Sequence, residues 1–310
     1  MKKVLISGAC GFVGKHLIDE LVSNGYEVIA CGSKPYADVP NGVKYEQMNI
    51  LDIEQVKRVI DSYNPEYFVN LAAVSSVGKS WGIPQQTVEV NVVGTINILE
   101  VLKSKNCKVL LIGSSEEYSS SNMPLNENSL LDANNPYGIS KIAQESFARL
   151  YANKYGMNIV CTRSFNHIGV GQGDSFAIPS FCKQVAEIEK SGKPGTIYVG
   201  NLGSYRDMSD VKDVVHVYRM LLENDTKEFV YNVGSGNVYK MEEILNYIIS
   251  LSNQDISIEI DPNKYRPIDT PYVCCDNSRI SEYFNGTSIE ETINRIYNDY
   301  LDDYERKRKL

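Results

Sequence analysis

The sequence predicts a doubly wound α/β protein, a parallel sheet with helices on both faces, together with a smaller C-terminal α/β lobe. Short apolar runs alternate with helical stretches through the first half of the chain. The first such run leads into a glycine-rich turn, Gly8-x-x-Gly11-x-x-Gly14, that opens a helix. At 310 residues the chain can bury a large core, in one big domain or two intimate lobes.

The elements follow in order. Strands are expected at Lys3–Ser7, Glu27–Cys31, Lys44–Gln47, Tyr67–Leu71, Lys108–Gly113 and Asn158–Arg163. Helices are expected at Phe12–Asn24, Ile53–Tyr63, Thr87–Ser104 and Pro136–Lys154. Such alternation implies parallel strands, because right-handed crossovers stack the helices on both faces of the sheet. Past Phe165 the rhythm loosens, and Gly169, Gly171 and Gly173 mark a loop. Further helices fit Phe176–Lys190, Val211–Leu222, Met241–Ser252 and Ser288–Tyr304. Residues 1–165 are therefore expected to form the large domain, with 210–236 returning to it. Residues 166–209 and 237–310 would form the smaller lobe over the strand C-termini, where open α/β sheets bind ligands.

Composition narrows the function. A net charge of −8 argues against a nucleic-acid partner, so an anionic ligand must be met by helix N-termini and individual arginines. Seven cysteines, an odd number without metal-ligand spacing, and only three histidines make a zinc site an unlikely reading. They suit a reduced, cytoplasmic protein. No apolar run reaches the ~20 residues of a membrane helix, and Met1-Lys2-Lys3 runs directly into a strand, leaving no expected signal peptide.

The glycine turn reads as a dinucleotide site of the Rossmann kind. Gly8, Gly11 and Gly14 permit a tight turn and close approach of a diphosphate, while the helix N-terminus supplies N–H donors and positive potential. The ribose selector is expected at the end of the second strand, where Cys31-Gly32-Ser33-Lys34 offers no carboxylate. Ser33 and Lys34 favour the 2′-phosphate of NADP over the 2′-hydroxyl of NAD, although Lys34 also reads as solvated surface. Asp52 and Ile53 suit the adenine edge; Asp52 equally suits a helix N-cap.

Tyr137 and Lys141 lie one helical turn apart and so share a face. A lysine there stabilises a tyrosinate, bringing an acid of pKa about 10 towards neutrality for proton transfer. Ser114, directly after the fifth strand, can bind a reacting carbonyl oxygen; Ser115 is one position away. Hydride chemistry on a carbonyl or alcohol is the implied reaction.

These residues carry a resemblance. The chain resembles the extended short-chain dehydrogenase/reductase family over essentially its whole length. The marks are the three glycines, Asn70-Leu71-Ala72-Ala73, Asn91 with Gly94-Thr95, Ser114 and Tyr137-x-x-x-Lys141. Within it, the chain looks like the branch of GDP-mannose 4,6-dehydratases and GDP-4-keto-6-deoxy-D-mannose reductases. That branch is marked by Ser114-Ser115-Glu116-Glu117-Tyr118, the stretch from Arg163 to Gln172, the stretch from Tyr205 to Val214, and Tyr265-Arg266-Pro267. Ser119 stands where the family usually has glycine, and Ser120-Ser121 lengthen that loop.

The resemblance implies cofactor contacts at Phe12, Val13, Leu71, Ala72 and Ala73. It implies a nucleotide-sugar substrate, GDP favoured, met by Asn166 at a diphosphate oxygen or sugar hydroxyl and by Arg206 and Arg266 as a diphosphate clamp. Lys183 would contact base or phosphate, and Ser75 and Ser76 would face the sugar. Glu116 sits where the dehydratases carry the base for the C5 proton. A compact chain with Ser at 114 favours a 4-reductase using NADPH, with dehydratase second and 4-epimerase or C4-dehydrogenase third. A homodimer is implied through the helices Thr87–Ser104 and Pro136–Lys154, with Ile98, Leu102, Phe147 and Leu150 in contact.

Overall fold

The computed structural model describes residues 2–308 apart from 266, 267 and 269, with side chains as far as 303. The first half runs β1 (Lys3–Ser7), α1 (Phe12–Ser23), β2 (Glu27–Gly32), β3 (Lys44–Gln47), α2 (Ile53–Tyr63) and β4 (Tyr67–Asn70). It continues through α3 (Val77–Gly82), α4 (Pro84–Val88), α5 (Gly94–Leu102), β5 (Lys108–Ser114), α6 (Pro136–Tyr155) and β6 (Ile159–Ser164). The second half has β7 (Asn166–Ile168), α7 (Ala177–Ser191), β8 (Gly195–Val199), β9 (Tyr205–Asp210), α8 (Val211–Glu223) and β10 (Val230–Val233). Last come β11 (Val238–Lys240), α9 (Met241–Ile249), β12 (Ile256–Ile260), β13 (Tyr272–Val273) and α10 (Ile289–Arg308).

Seven strands form one sheet in the order β3-β2-β1-β4-β5-β6-β10, all parallel. This is the doubly wound α/β arrangement the alternation predicts. Strand side chains point to the two faces in turn. Val4 and Ile6 pack with Leu17, Leu21 and Val214 of α1 and α8, whereas Leu5 packs with Val56, Ile60 and Ile98 of α2 and α5. The strand order reverses between β1 and β4, so a crevice opens there beyond the C-terminal ends.

The remaining strands form small sheets: β11-β9-β13 with β7 on β9, and β12 with β8. A separate core of Ile178, Phe181, Val185, Ile197, Leu245 and Ile293 joins α7, β8, α9 and α10. These short strands are absent from the sequence-based expectations: β7, β11 and β13 are too short to show a period, and the alternation of β12, Ile256-Ser257-Ile258-Glu259-Ile260, was missed.

Two expectations need correction. The helix expected over Thr87–Ser104 is interrupted by a π-helical turn at Glu89–Val93. The hydroxyl of Thr95 donates to the Asn91 carbonyl at 2.8 Å, and the Asn91 amide is drawn sideways to Val74 and Ser140. Such turns insert a residue and re-aim a side chain, often at a functional site. The contact residues expected for a dimer also change. Ile98 and Leu102 are buried against the sheet beside Leu99, because that stripe of α5 faces the core. The apolar residues left exposed around α4, α5 and α6 include Val88, Val93, Ile139 and Leu150.

Candidate active site

The glycine turn follows β1 directly. Gly8 has φ of +71°, and a Cβ there would lie 2.6 Å from the Ala72 backbone nitrogen. The Leu71 N–H donates to Ser7 O at 3.0 Å, so the turn and the end of β4 touch where the strand order reverses. Gly14 presses α1 onto the turn: a Cβ would meet the Ala9 carbonyl at 2.3 Å.

The two neighbouring helix starts differ. At α2, Asp52 accepts from the N–H groups of Glu54 and Gln55 and from the Gln55 side chain. At α1 the cap is Gly11, with no side-chain bond and no acidic residue in the first turn. Orphan N–H groups without a competing acid fit the diphosphate of a dinucleotide. Phe12 and Val13 line the large cleft beside them. Asp52 is occupied as a cap, Ile53 is 41% exposed, and neither lines the cleft. Ser33 and Lys34 are exposed past β2, their carbonyls accepting from Gln47 Nε2 and the Tyr45 hydroxyl.

That cleft measures 830 Å³ and lies over the C-terminal ends of the sheet. Ser114 closes β5, while Tyr137 and Lys141 occupy the first turns of α6, and all three line it. Asn135 caps α6 by accepting the Gly138 N–H, and Pro136 follows at the first helical position. Burial pushes the Tyr137 phenol well above its ordinary value; a hydrogen bond with Ser114 opposes this. Burial also pushes Lys141 down, opposed by the charge of Glu117. The Lys141 Nζ donates to Ile112 O at 2.7 Å and Gln144 Oε1 at 3.0 Å, and stands 5.9 Å from the Tyr137 ring centre. Asn91 ties this helix to the end of β4: its Nδ2 donates to Ser140 Oγ at 2.8 Å and its Oδ1 accepts the Val74 N–H.

Glu116 lines the same cleft and its Oε2 accepts from Asn135 Nδ2 at 2.8 Å. Ala73, Ser75, Ser76, Asn166 and Arg206 line it too. Ser76 also caps α3. Arg206 is buried at its mouth, with Nη1 donating to its neighbour's carbonyl, Tyr205 O, at 2.9 Å. The Asp207 carboxylate turns to the Ser235, Gly236 and Cys275 N–H groups instead. Lys183 is not itself among the lining residues, but its Nζ lies 2.6 Å from the carboxylate of Asp174, which is, placing it at the cleft's edge. Arg266 lies outside the described residues.

Among the residues in or beneath the cleft that sequence reasoning gave no role are Tyr218 and Glu117. Tyr218 of α8 lines it from below, sharing a 2.6 Å hydrogen bond with Ser164. Its position in an apolar helical stripe reads only as core. Glu117, fully buried under Ser114, sits in an acidic pair that reads as surface.

A family model for GDP-mannose 4,6 dehydratase matches residues 5–296. The chain belongs to this family. It is accordingly a nicotinamide-dependent enzyme of the extended short-chain dehydrogenase/reductase kind. It is 29% identical to a GDP-6-deoxy-D-mannose reductase from Pseudomonas aeruginosa, covering 99% of this chain and 98% of that one. Among solved structures it resembles RMD from Pseudomonas aeruginosa complexed with NADPH, at 26% identity and a TM-score of 0.85 over 98% of both chains. It also resembles a Thermus thermophilus UDP-glucose 4-epimerase complexed with NAD, at 25% identity and a TM-score of 0.85, covering 96% of this chain and 98% of that one. One of these two similar structures thus holds NADPH and the other NAD.

Proposed function

We propose that the protein is an NADPH-dependent 4-reductase of a nucleotide-linked 4-keto sugar, of the GDP-4-keto-6-deoxy-D-mannose type. The observation that carries this is the joint presence of Ser114, Tyr137 and Lys141 on one cleft that also takes in Asn166 and Arg206. A reduced nicotinamide, when bound, supplies the hydride. The Ser114 hydroxyl orients the substrate carbonyl, Tyr137 gives its proton to O4, and the Lys141 charge stabilises the tyrosinate left behind. The Arg206 guanidinium meets the diphosphate, and Asn166 a diphosphate oxygen or sugar hydroxyl. In this reading residues 1–165 and 210–236 hold the cofactor, and 166–209 with 237–310 hold the nucleotide sugar.

The dehydratase reading keeps one supporting observation: Glu116 lines the cleft beside Ser114 and Tyr137, where a base for C5 would be needed. Product analysis separates the two. Incubation with GDP-4-keto-6-deoxymannose should consume NADPH, and incubation with GDP-mannose alone should yield nothing. A keto-deoxy product from GDP-mannose without added reductant would overturn the reductase in favour of the dehydratase. Tyr137→Phe should nearly abolish either reaction, whereas Glu116→Gln should cost on the order of 100-fold only in a dehydratase.

Among the described residues no helix is long and apolar enough to cross a membrane. The seven cysteines are all unpaired, which suits a reducing cytoplasm. A second copy is proposed to cover Val88, Val93, Ile139 and Leu150. Light scattering at micromolar concentration should give a dimer; a stable monomer would refute this.

A further inference from the structure

We propose that Glu117 is a positioning residue that keeps Lys141 charged beneath the active site. The side chain is fully buried. Its Oε1 accepts the Ser114 N–H at 2.7 Å, and it lies 2.5 Å from where a Cβ on Gly113 would stand. Lys141 donates to the carbonyl of Ile112, the residue before that glycine. Carboxylate and ammonium therefore clasp one three-residue stretch at the end of β5, Ile112 to Ser114. The bare Gly113 is what makes room for the acid.

The local charge balance assigns the partners. Arg163 is satisfied by Glu145, its Nε and Nη2 donating to the two carboxylate oxygens at 2.9 and 2.8 Å. Glu145 thus takes hydrogen bonds from Arg163, while Lys141, whose own hydrogen bonds go to the neutral acceptors Ile112 O and Gln144 Oε1, has Glu117 as the carboxylate whose charge favours its ammonium form. Glu117 Oε2 makes no hydrogen bond; it stands 3.6 Å from Arg163 Nε, whose single N–H goes to Glu145, and so meets the guanidinium as a charge only. An ionised carboxylate suits these surroundings; a protonated one would need an acceptor.

The titratable groups around Glu117 are Tyr137, Lys141 and Glu145 from α6, Arg163 and Cys161 from β6, and Glu116 and Tyr118 on its own turn. Burial and the Glu145 charge push its carboxyl up, while the Ser114 N–H, Arg163 and Lys141 oppose them. A lysine in a dry site without a counter-charge gives up its proton. Neutral Lys141 would leave the tyrosinate formed at Tyr137 without its stabilising charge.

This inference rests on the proton-transfer reading of Tyr137 and Lys141, and its test is separable from that reading. NMR titration of the free protein, without substrate or cofactor, follows the Lys141 ammonium and the Glu117 carboxyl. In the wild type Glu117 should be ionised and Lys141 charged at pH 7. In Glu117→Gln the Lys141 midpoint should fall by about one pH unit or more. Glu117→Asp, which keeps the charge, should hold it near the wild-type value. The alkaline limb of kcat should move to lower pH with the Lys141 midpoint in Glu117→Gln. A uniform loss of kcat with an unmoved Lys141 midpoint would reduce Glu117 to a structural role and overturn the proposal. Should Glu117→Gln fail to fold, a protonated Glu117 in the wild type at pH 7 would overturn it equally.

Discussion

Replacing Gly11 with alanine separates the cofactor site from the fold. The residue has φ of −73° and ψ of 174°, extended backbone open to any amino acid. A Cβ there meets only the Gly8 carbonyl, at 3.3 Å, a contact that a few tenths of an ångström relieves. Alanine is a poorer N-cap than glycine by roughly 0.5 kcal/mol, but it loses less chain entropy on folding by about 0.4–1 kcal/mol. The net change should stay within about 1 kcal/mol, or about 2 °C in Tm for a chain of this size. The methyl group, however, stands at the uncapped end of α1, where a diphosphate would seek the first-turn N–H groups. Loss of one charge-assisted hydrogen bond is worth about 1.5–3 kcal/mol, a weakening on the order of 10- to 100-fold.

Gly8→Ala provides the contrast. A left-handed alanine costs about 1–2 kcal/mol, and the 2.6 Å approach to the Ala72 backbone cannot be relieved by a rotamer change. That variant should lose stability before it loses affinity. Calorimetry would give Tm, and isothermal titration with NADPH and NADH would give Kd. A folded Gly11→Ala that binds both cofactors as tightly as the wild type would refute the placement of the diphosphate at α1.

Three further outcomes are expected. Lys34→Asp should shift preference from NADPH towards NADH by about 1–3 kcal/mol, read as the ratio of their Kd values; a wild type already favouring NADH would show that Ser33 and Lys34 are not the selector. Asp52→Ala should cost about 1 kcal/mol of stability by removing the α2 cap, read as about 2 °C in Tm; a larger loss in cofactor affinity than in stability would restore the adenine-edge role. Arg163→Met should destabilise by about 3–5 kcal/mol, because Glu145 and Glu117 remain buried without their guanidinium. Stranded carboxylates have raised pKa values and bind protons on folding, so that deficit should shrink as pH falls; a deficit constant with pH would show that the charges are not its cause.

What the sequence disclosed is local, and what it hid depends on distant partners. The bounds of β1 and α2 are legible because an apolar run, a glycine turn and an aspartate cap are written within a few residues. The break in the helix from Thr87 is not, since the pull on Asn91 comes from Val74 and Ser140, the latter 49 residues away. Apolar period likewise marks Ile98, Leu102 and Leu150 as equals; only the docked sheet shows that the first two are core and that Leu150 is 62% exposed. Glu116 and Glu117 make the point most sharply. Two identical neighbours end a 3₁₀ turn, and that turn sends one carboxylate to the cleft and the other beneath Ser114. The buried one is tolerated because Lys141 and Arg163, from different elements, converge on it. A charge pattern in sequence cannot reveal such a site, since each member looks like ordinary surface until the sheet brings β5, β6 and α6 together.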